Sequence, residues 1–152
     1  MKHLRLILVL ILLLLAACGP EETPQPKLCP SHTASLSLAA SGTTLAVGEQ
    51  VTVTATLSND GCGMLGLPAY RLIFDPEQSQ RGLELVSPES VNHSLGISAG
   101  EADQAEFVLR AVRAGEVRVR GTVSFEVHLG PAGGAYWGQS GTSEALVITV
   151  DP

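Results

Sequence analysis

Three cysteines and a nearby histidine are the first residues whose side chains could do chemistry together. Two residues separate Cys29 from His32, a spacing that suits two ligands of one metal ion, and Cys62 with Asp60 could complete the set. The same two cysteines could instead form a disulfide bond, which an oxidising compartment favours over a thiolate metal site. We therefore predict a Cys29–Cys62 disulfide and expect no metal or cofactor. The alternative is an envelope metal or redox protein that uses Cys29, His32 and Cys62.

An aromatic pair is the second group to which a role can be assigned. Tyr136 and Trp137 lie in a Gly-rich stretch, Leu129–Gly141. Aromatic side chains on loops are common binding anchors, because they offer a large contact area with few rotatable bonds. We predict that this stretch is a loop between the last two strands and that Tyr136 and Trp137 contact a partner. The alternative is that the pair folds back over the core as a lid.

Residue patterns typical of catalysis are scarce. The sequence contains neither the His-Glu-x-x-His motif of zinc proteases nor a Gly-Lys-Ser phosphate-binding loop. His93 and His128 are most simply surface residues, and Asp75 and Glu77 are most simply solvated acids. We therefore predict that the protein is not an enzyme.

The N-terminal residues indicate export and lipid attachment. Two cations precede an unbroken apolar run, Leu6–Leu15, which as a helix would span about 15 Å, roughly half of a bilayer core. That length suits the apolar region of a secretory signal. The junction Leu15-Ala16-Ala17-Cys18 resembles the lipobox of bacterial lipoproteins. This resemblance implies that residues 1–17 are a removed signal peptide and that Cys18 carries acyl chains such as palmitate. The alternative is an ordinary signal peptide in which Cys18 is incidental.

A lipidated Cys18 would place the protein on the extracytoplasmic side of a cell membrane or an outer membrane. Two or three acyl chains anchor a protein far more firmly than one. In the Gram-negative lipoproteins that this junction resembles, an Asp after the cysteine causes retention in the inner membrane, so Gly19 is compatible with outer-membrane sorting. Residues 18–30 are rich in proline, and we predict a tether that reaches roughly 35–40 Å when extended.

The charge balance excludes one class of partner. Removal of residues 1–17 leaves seven of the nine Lys and Arg residues and all fifteen Asp and Glu residues. Such an acidic chain is unsuited to nucleic acid. The expected partners are the membrane, through the lipid on Cys18, and another component of the envelope, either a protein or a glycan.

From residue 31 onward, apolar and polar residues alternate, and many are β-branched, a pattern typical of half-buried strands. The alternation predicts seven strands, at residues 34–39, 50–58, 70–74, 83–85, 105–109, 116–128 and 144–150. In the longest strand the residues predicted to face the core are Val117, Val119, Gly121, Val123, Phe125 and Val127. We therefore predict an all-β fold for residues 31–152, an antiparallel two-sheet Ig-like or fibronectin-like sandwich. A small closed barrel is the alternative.

A family resemblance supports this fold. Leu45–Ser58, followed by Asn59-Asp60-Gly61, is similar to the opening of bacterial Ig-like adhesion and accessory domains of the CARDB type. The segments Ser98–Glu101 and Phe107–Arg110 resemble later parts of the same fold, so the resemblance covers roughly residues 34–150. It implies a non-catalytic binding or accessory module of the cell envelope. The antibody-type Cys…Trp…Cys core is absent, and residues 116–128 contain no Tyr for a tyrosine corner.

A second resemblance gives another alternative function. The Gly-rich stretch Leu129–Gly141, with its single Trp, is similar to the loops of Ig-like cysteine-protease inhibitors of the chagasin type. This resemblance implies a protease inhibitor presented at the cell surface. The Asn-Pro-Thr-Thr-Gly motif of that family is missing from this sequence, which puts the inhibitory function in doubt.

Overall fold

The structure of the protein is a computed structural model that describes residues 33–75, 82–128 and 136–152, with only the backbone of residues 136 and 137. These ranges contain ten strands: β1 (Ala34–Ala40), β2 (Thr44–Ala46), β3 (Gln50–Asn59), β4 (Met64–Phe74), β5 (Leu83–Leu85), β6 (Ser90–Asn92), β7 (Ala102–Ala111), β8 (Gly115–His128), β9 (Tyr136–Thr142) and β10 (Leu146–Asp151). In the same ranges, no helix has the length and apolar character needed to cross a membrane. The predicted signal peptide, Cys18 and the tether lie outside the described residues.

The ten strands form two sheets. One has the order β1-β3-β7-β5, and the other has the order β2-β10-β8-β4-β6, with β9 also paired to β8. Two separate sheets confirm the predicted all-β sandwich over the closed barrel. The arrangement is antiparallel except for β2 and β10, which run parallel. Strand β2 lies in the connection between β1 and β3, which belong to the smaller sheet, but it pairs with β10 in the larger sheet. Because no hairpin joins β2 to β10, the two strands are not required to run antiparallel.

All seven predicted strands are present in the structure, together with three that were not predicted. Two of these, β2 and β6, have three residues each, which is too short to show alternation. The third, β9, begins inside the stretch Leu129–Gly141, and the prediction that this whole stretch is a loop is therefore wrong. Pairing with the long strand β8 gives residues from Tyr136 onward a sheet partner despite their glycine content.

The core lies between the sheets and follows the predicted alternation. All six residues predicted to face inward from β8 are buried, and so are the alternate residues of β3. Burial of such Val, Leu and Phe side chains contributes about 1.5–3 kcal/mol each. Side chains of β1 lie close to β8 at Gly121, because a Cβ there would lie 2.9 Å from Leu38 Cδ2 and 3.3 Å from Leu36 Cδ2.

Strand β8 is the central element of the larger sheet. One of its edges pairs with β4, and the other pairs first with β10, over residues 115–119, and then with β9, over residues 122–128. Ser143 occupies the point where β9 gives way to β10. Its Oγ accepts a hydrogen bond from the Gly121 N–H at 2.9 Å, and its own N–H donates to the Gly121 carbonyl at 2.9 Å. Because β8 pairs with β4 on one side and with β9 on the other, these three strands share one outer surface.

Candidate functional site

Two adjacent depressions run along β4 and β8 on the outer face of the larger sheet. The first has a volume of about 430 Å³ and is lined by Ile73, Phe74, Asp75, Arg118 and Arg120. The second has a volume of about 360 Å³ and is lined by Ala69, Arg71, Thr122, Val123, Ser124 and Ser140. We call the two depressions together the outer groove.

The register of β4 and β8 determines which side chains meet in the outer groove. Arg71 lies opposite Thr122, and Ile73 lies opposite Arg120. Side chains of opposed residues project from the same face of a sheet, and diagonal neighbours lie about 7–8 Å apart. Arg71 and Arg120 are diagonal neighbours, so their guanidinium groups can reach one ligand from two strands.

Two arginines of the outer groove have no acidic partner in the part of the chain that the structure describes. Arg118 Nε lies 3.5 Å from Glu116 Oε1. In contrast, neither Arg71 nor Arg120 has an ion pair with any residue that the structure describes. Both side chains are exposed. A guanidinium group carries five N–H donors in a planar fork and binds carboxylate or phosphate oxygens in pairs, so these two groups are available to an anionic ligand.

The predicted aromatic contact residues begin β9, next to this groove. In the register of β8 and β9, Tyr136 lies opposite His128 and Trp137 lies opposite Val127. Ser140, on the same strand, lines the second depression. The strand that starts with the aromatic pair thus reaches the outer groove, while the binding role of Tyr136 and Trp137 stays a prediction.

A polar cluster joins the two sheets on their inner side. The Tyr70 hydroxyl, from β4, donates to Asp103 Oδ2, from β7, at 2.7 Å. His93 Nδ1 lies 2.6 Å from the same oxygen. Tyr70 is fully buried, and this burial, followed by the hydrogen bond and the negative charge of Asp103, raises the pKa of its hydroxyl. His93, predicted to be a surface residue, is therefore partly buried and bound to a carboxylate.

Substitution of Tyr70 by Phe should reduce the free energy of unfolding by about 1–2 kcal/mol at neutral pH, because Asp103 then loses a buried donor. The raised pKa also predicts a pH dependence. The hydroxyl stays protonated in the folded protein while the unfolded chain ionises near the ordinary value of 10.0, so its contribution is complete below about pH 10 and declines above it. When melting temperatures are measured from pH 7 to pH 11.5, the difference between the wild-type protein and Tyr70→Phe should become smaller above pH 10. A parallel decline of both proteins would contradict this assignment.

A Gly-x-Ser-x-Gly pattern occurs at Gly96–Gly100, and the prediction of a non-enzyme did not take it into account. In hydrolases this pattern places a serine on a sharp turn between a strand and a helix. Here Ser98 lies between β6 and β7, where its N–H donates to Glu101 Oε2 at 3.1 Å. The segment therefore forms a turn between two strands, without the helix that a nucleophile elbow requires.

The cysteine and metal predictions are only partly within the described residues. Cys62 follows β3, and Asp60 Oδ2 accepts a hydrogen bond from Ser35 Oγ at 2.8 Å. Cys29, His32 and Glu77 lie outside the described residues. No group of three or more His, Cys, Asp and Glu side chains that could hold a metal ion occurs among the residues that are described. Both the Cys29–Cys62 disulfide and the alternative metal site stay predictions.

Comparison with solved structures supports the Ig-like fold. The CARDB domain of the PF1109 protein from Pyrococcus furiosus, solved in complex with di-metal ions, aligns with 88% of this chain and all of its own length, at a TM-score of 0.54 and 9% identity. Native alpha-2-macroglobulin from Escherichia coli, spanning domain MG7 to the C-terminus, aligns with 80% of this chain at a TM-score of 0.53 and 20% identity. This chain spans 17% of that second structure. No family model and no curated protein matches the sequence.

Proposed function

We propose that this protein is a lipid-anchored, extracytoplasmic binding module that presents its outer groove to another component of the cell envelope. The observation that carries the proposal is the groove itself. One face of the larger sheet is filled by the core, whereas the opposite face carries exposed side chains and bears two adjoining depressions. Attachment through Cys18 and a tether over residues 18–30 would hold this face away from the membrane.

The side chains of the outer groove are suited to holding a ligand. Guanidinium groups bind anions, the hydroxyls of Thr122, Ser124 and Ser140 donate and accept hydrogen bonds, and Ile73 offers an apolar contact. Ligand sites commonly combine apolar surface with a few polar groups in this way. Recognition without chemical conversion of the ligand is the function that these groups support best.

Photocrosslinking of the full-length protein in native membranes tests this proposal. A photoreactive residue at Ile73, or at Tyr136, which lies opposite the outward-facing position His128, should give a discrete adduct with one envelope component. The control position is Val86, which is on the smaller sheet's side of the molecule and is 49% exposed, close to the 44% of Ile73. An adduct from Ile73 alone would leave the aromatic pair as a lid over the core. Equal labelling from all three positions, or none from any, would contradict a specific binding face.

A further inference from the structure

The outer groove also points to one class of ligand. Resting on the proposed function, we infer that the groove binds an acidic glycan, a sugar polymer that bears carboxylate groups, and that Arg71 and Arg120 bind its carboxylates. Four features of the groove lead to this inference: its unpaired arginines, its hydroxyl lining, the paired backbone of the second depression and its length.

The unpaired arginines are a local positive charge on a protein whose net charge is negative. The protein carries a formal net charge of −6 at pH 7, so a polyanion has no general attraction to it. Within the groove, Glu116 pairs with Arg118, and Asp75 lines the first depression without an ion pair among the described residues. Arg71 and Arg120 likewise have no carboxylate partner among those residues, so the positive charge of the groove exceeds its negative charge. A ligand carboxylate placed between these diagonal neighbours would meet both guanidinium groups, which bind carboxylates through two parallel hydrogen bonds.

The lining of the groove favours a sugar over a peptide. The second depression has three hydroxyl side chains, from Thr122, Ser124 and Ser140, which match the hydroxyl groups of a sugar ring. A peptide commonly binds a sheet by adding a strand to an open edge. In the second depression that mode is unavailable, because residues 69–71 of β4 pair with both β6 and β8, and residues 122–124 of β8 pair with both β4 and β9. A ligand in the second depression is therefore recognised by side chains.

The length of the groove suits a chain-like ligand. From Arg118 to Ser124 along β8 there are six residue steps, which correspond to about 20 Å. Over that distance the lining changes from apolar and charged at Ile73 and Arg120 to hydroxyl-rich at Ser124. A sugar polymer can place a ring face on Ile73, a carboxylate at Arg120 and hydroxyl groups near Ser124.

Binding of polygalacturonate to the full-length protein in detergent micelles tests the inference. The comparison ligands are neutral dextran, poly-glutamate and vesicles that contain an anionic phospholipid. We expect polygalacturonate to bind and each of Arg71→Gln and Arg120→Gln to weaken its binding by about fivefold at low salt, because charge-assisted contacts in an exposed site are modest and are screened by salt. The charge-matched control is Arg113→Gln, which removes an exposed arginine from the turn between β7 and β8 and should leave binding unchanged.

Every other outcome of this experiment contradicts a specific part of the inference. Equal binding of poly-glutamate, with the same loss in both variants, would show that the groove recognises carboxylates and not sugars. Binding only to vesicles would assign the arginines to a lipid surface. Dextran binding that neither variant changes would overturn the role of the arginines while leaving the binding module intact. If no probe binds but Ile73 gives a specific adduct in native membranes, the glycan inference fails and the proposed function stands. If the adduct is absent too, both fail.

Discussion

Replacement of Asn59 by Ala should lower the free energy of unfolding by about 3 kcal/mol, a large effect for one polar residue at the end of a strand. Asn59 is only 1% exposed, and both the nitrogen and the oxygen of its side-chain amide form hydrogen bonds. Its Nδ2 donates to the carbonyls of Gly63 at 2.7 Å and Ile97 at 2.9 Å, and its Oδ1 accepts from the Gly61 N–H at 3.1 Å. Each buried group left without a partner costs about 1–3 kcal/mol, and these costs are not fully additive.

The backbone of Asn59 adds to this connection. Its N–H donates to the Glu101 carbonyl at 2.9 Å, and its own carbonyl accepts from the Gly100 N–H at 2.8 Å. One residue thus ties the end of β3 to the loop that follows it and to the segment before β7. Loss of the side chain should therefore loosen the end of β3, the loop that follows it and the segment before β7.

Denaturant unfolding of the full-length protein in detergent, followed by circular dichroism, measures the effect. Asn92→Ala is the matched control, because Asn92 is exposed on β6 and its loss should change stability by less than about 0.5 kcal/mol. Asn59→Asp should be at least as harmful as Asn59→Ala, since it directs a carboxylate at two carbonyl oxygens. A loss below about 1 kcal/mol in Asn59→Ala would contradict the importance of the three side-chain hydrogen bonds.

Substitution of Cys18 by Ser should abolish lipid attachment completely, because only the thiol of that residue can carry the thioether-linked lipid. Cells grown with a labelled fatty acid should incorporate label into the wild-type protein and none into Cys18→Ser. Two or three acyl chains bury enough methylene groups, at about 0.8 kcal/mol each, to make the anchor effectively permanent. The wild-type protein should therefore stay in the membrane fraction through high-salt washing.

Cys62→Ser is the control for this experiment, since it replaces a cysteine elsewhere in the chain and should keep full labelling. Labelling that persists in Cys18→Ser would show that the lipid is on another residue. An unlabelled wild-type protein would favour an ordinary signal peptide, with Cys18 as an incidental residue. In either case the proposed anchor would be wrong, whereas the binding role of the outer groove would still be open to its own test.

The sequence was sufficient to predict those strands in which every position follows the two-residue period. Strands β3 and β8 are of this kind, because each packs one face on the core along its entire length. Strand β4 was predicted only from Tyr70, although it begins at Met64. Its register with β8 shifts between Gly66 and Ala69, and Leu67 has a positive φ of 49°. Such a bulge moves the later residues to the opposite face, so the alternation is broken in the sequence while the strand continues.

The outer groove could not be predicted from the sequence. Arg71 and Arg120 are far apart along the chain, and only the register of β4 and β8 makes them neighbours. The same limit applies to the cluster of Tyr70 in β4, His93 just after β6 and Asp103 in β7, which only the folded structure brings together. Residue types and local spacing identify candidates close in sequence, such as Tyr136 and Trp137, and they carry no information about which distant strands pair.

The parallel pair of β2 and β10 has a consequence for the timing of folding. Thr44 meets Thr149, so a strand near the start of the domain waits for one about a hundred residues later. At a synthesis rate of about 5–20 residues per second, that interval lasts about 5–20 s. During it, the larger sheet lacks β10, the strand with which β2 pairs, and contacts between such distant segments are slow to form. The proposed N-terminal export signal therefore emerges several seconds before the domain can close.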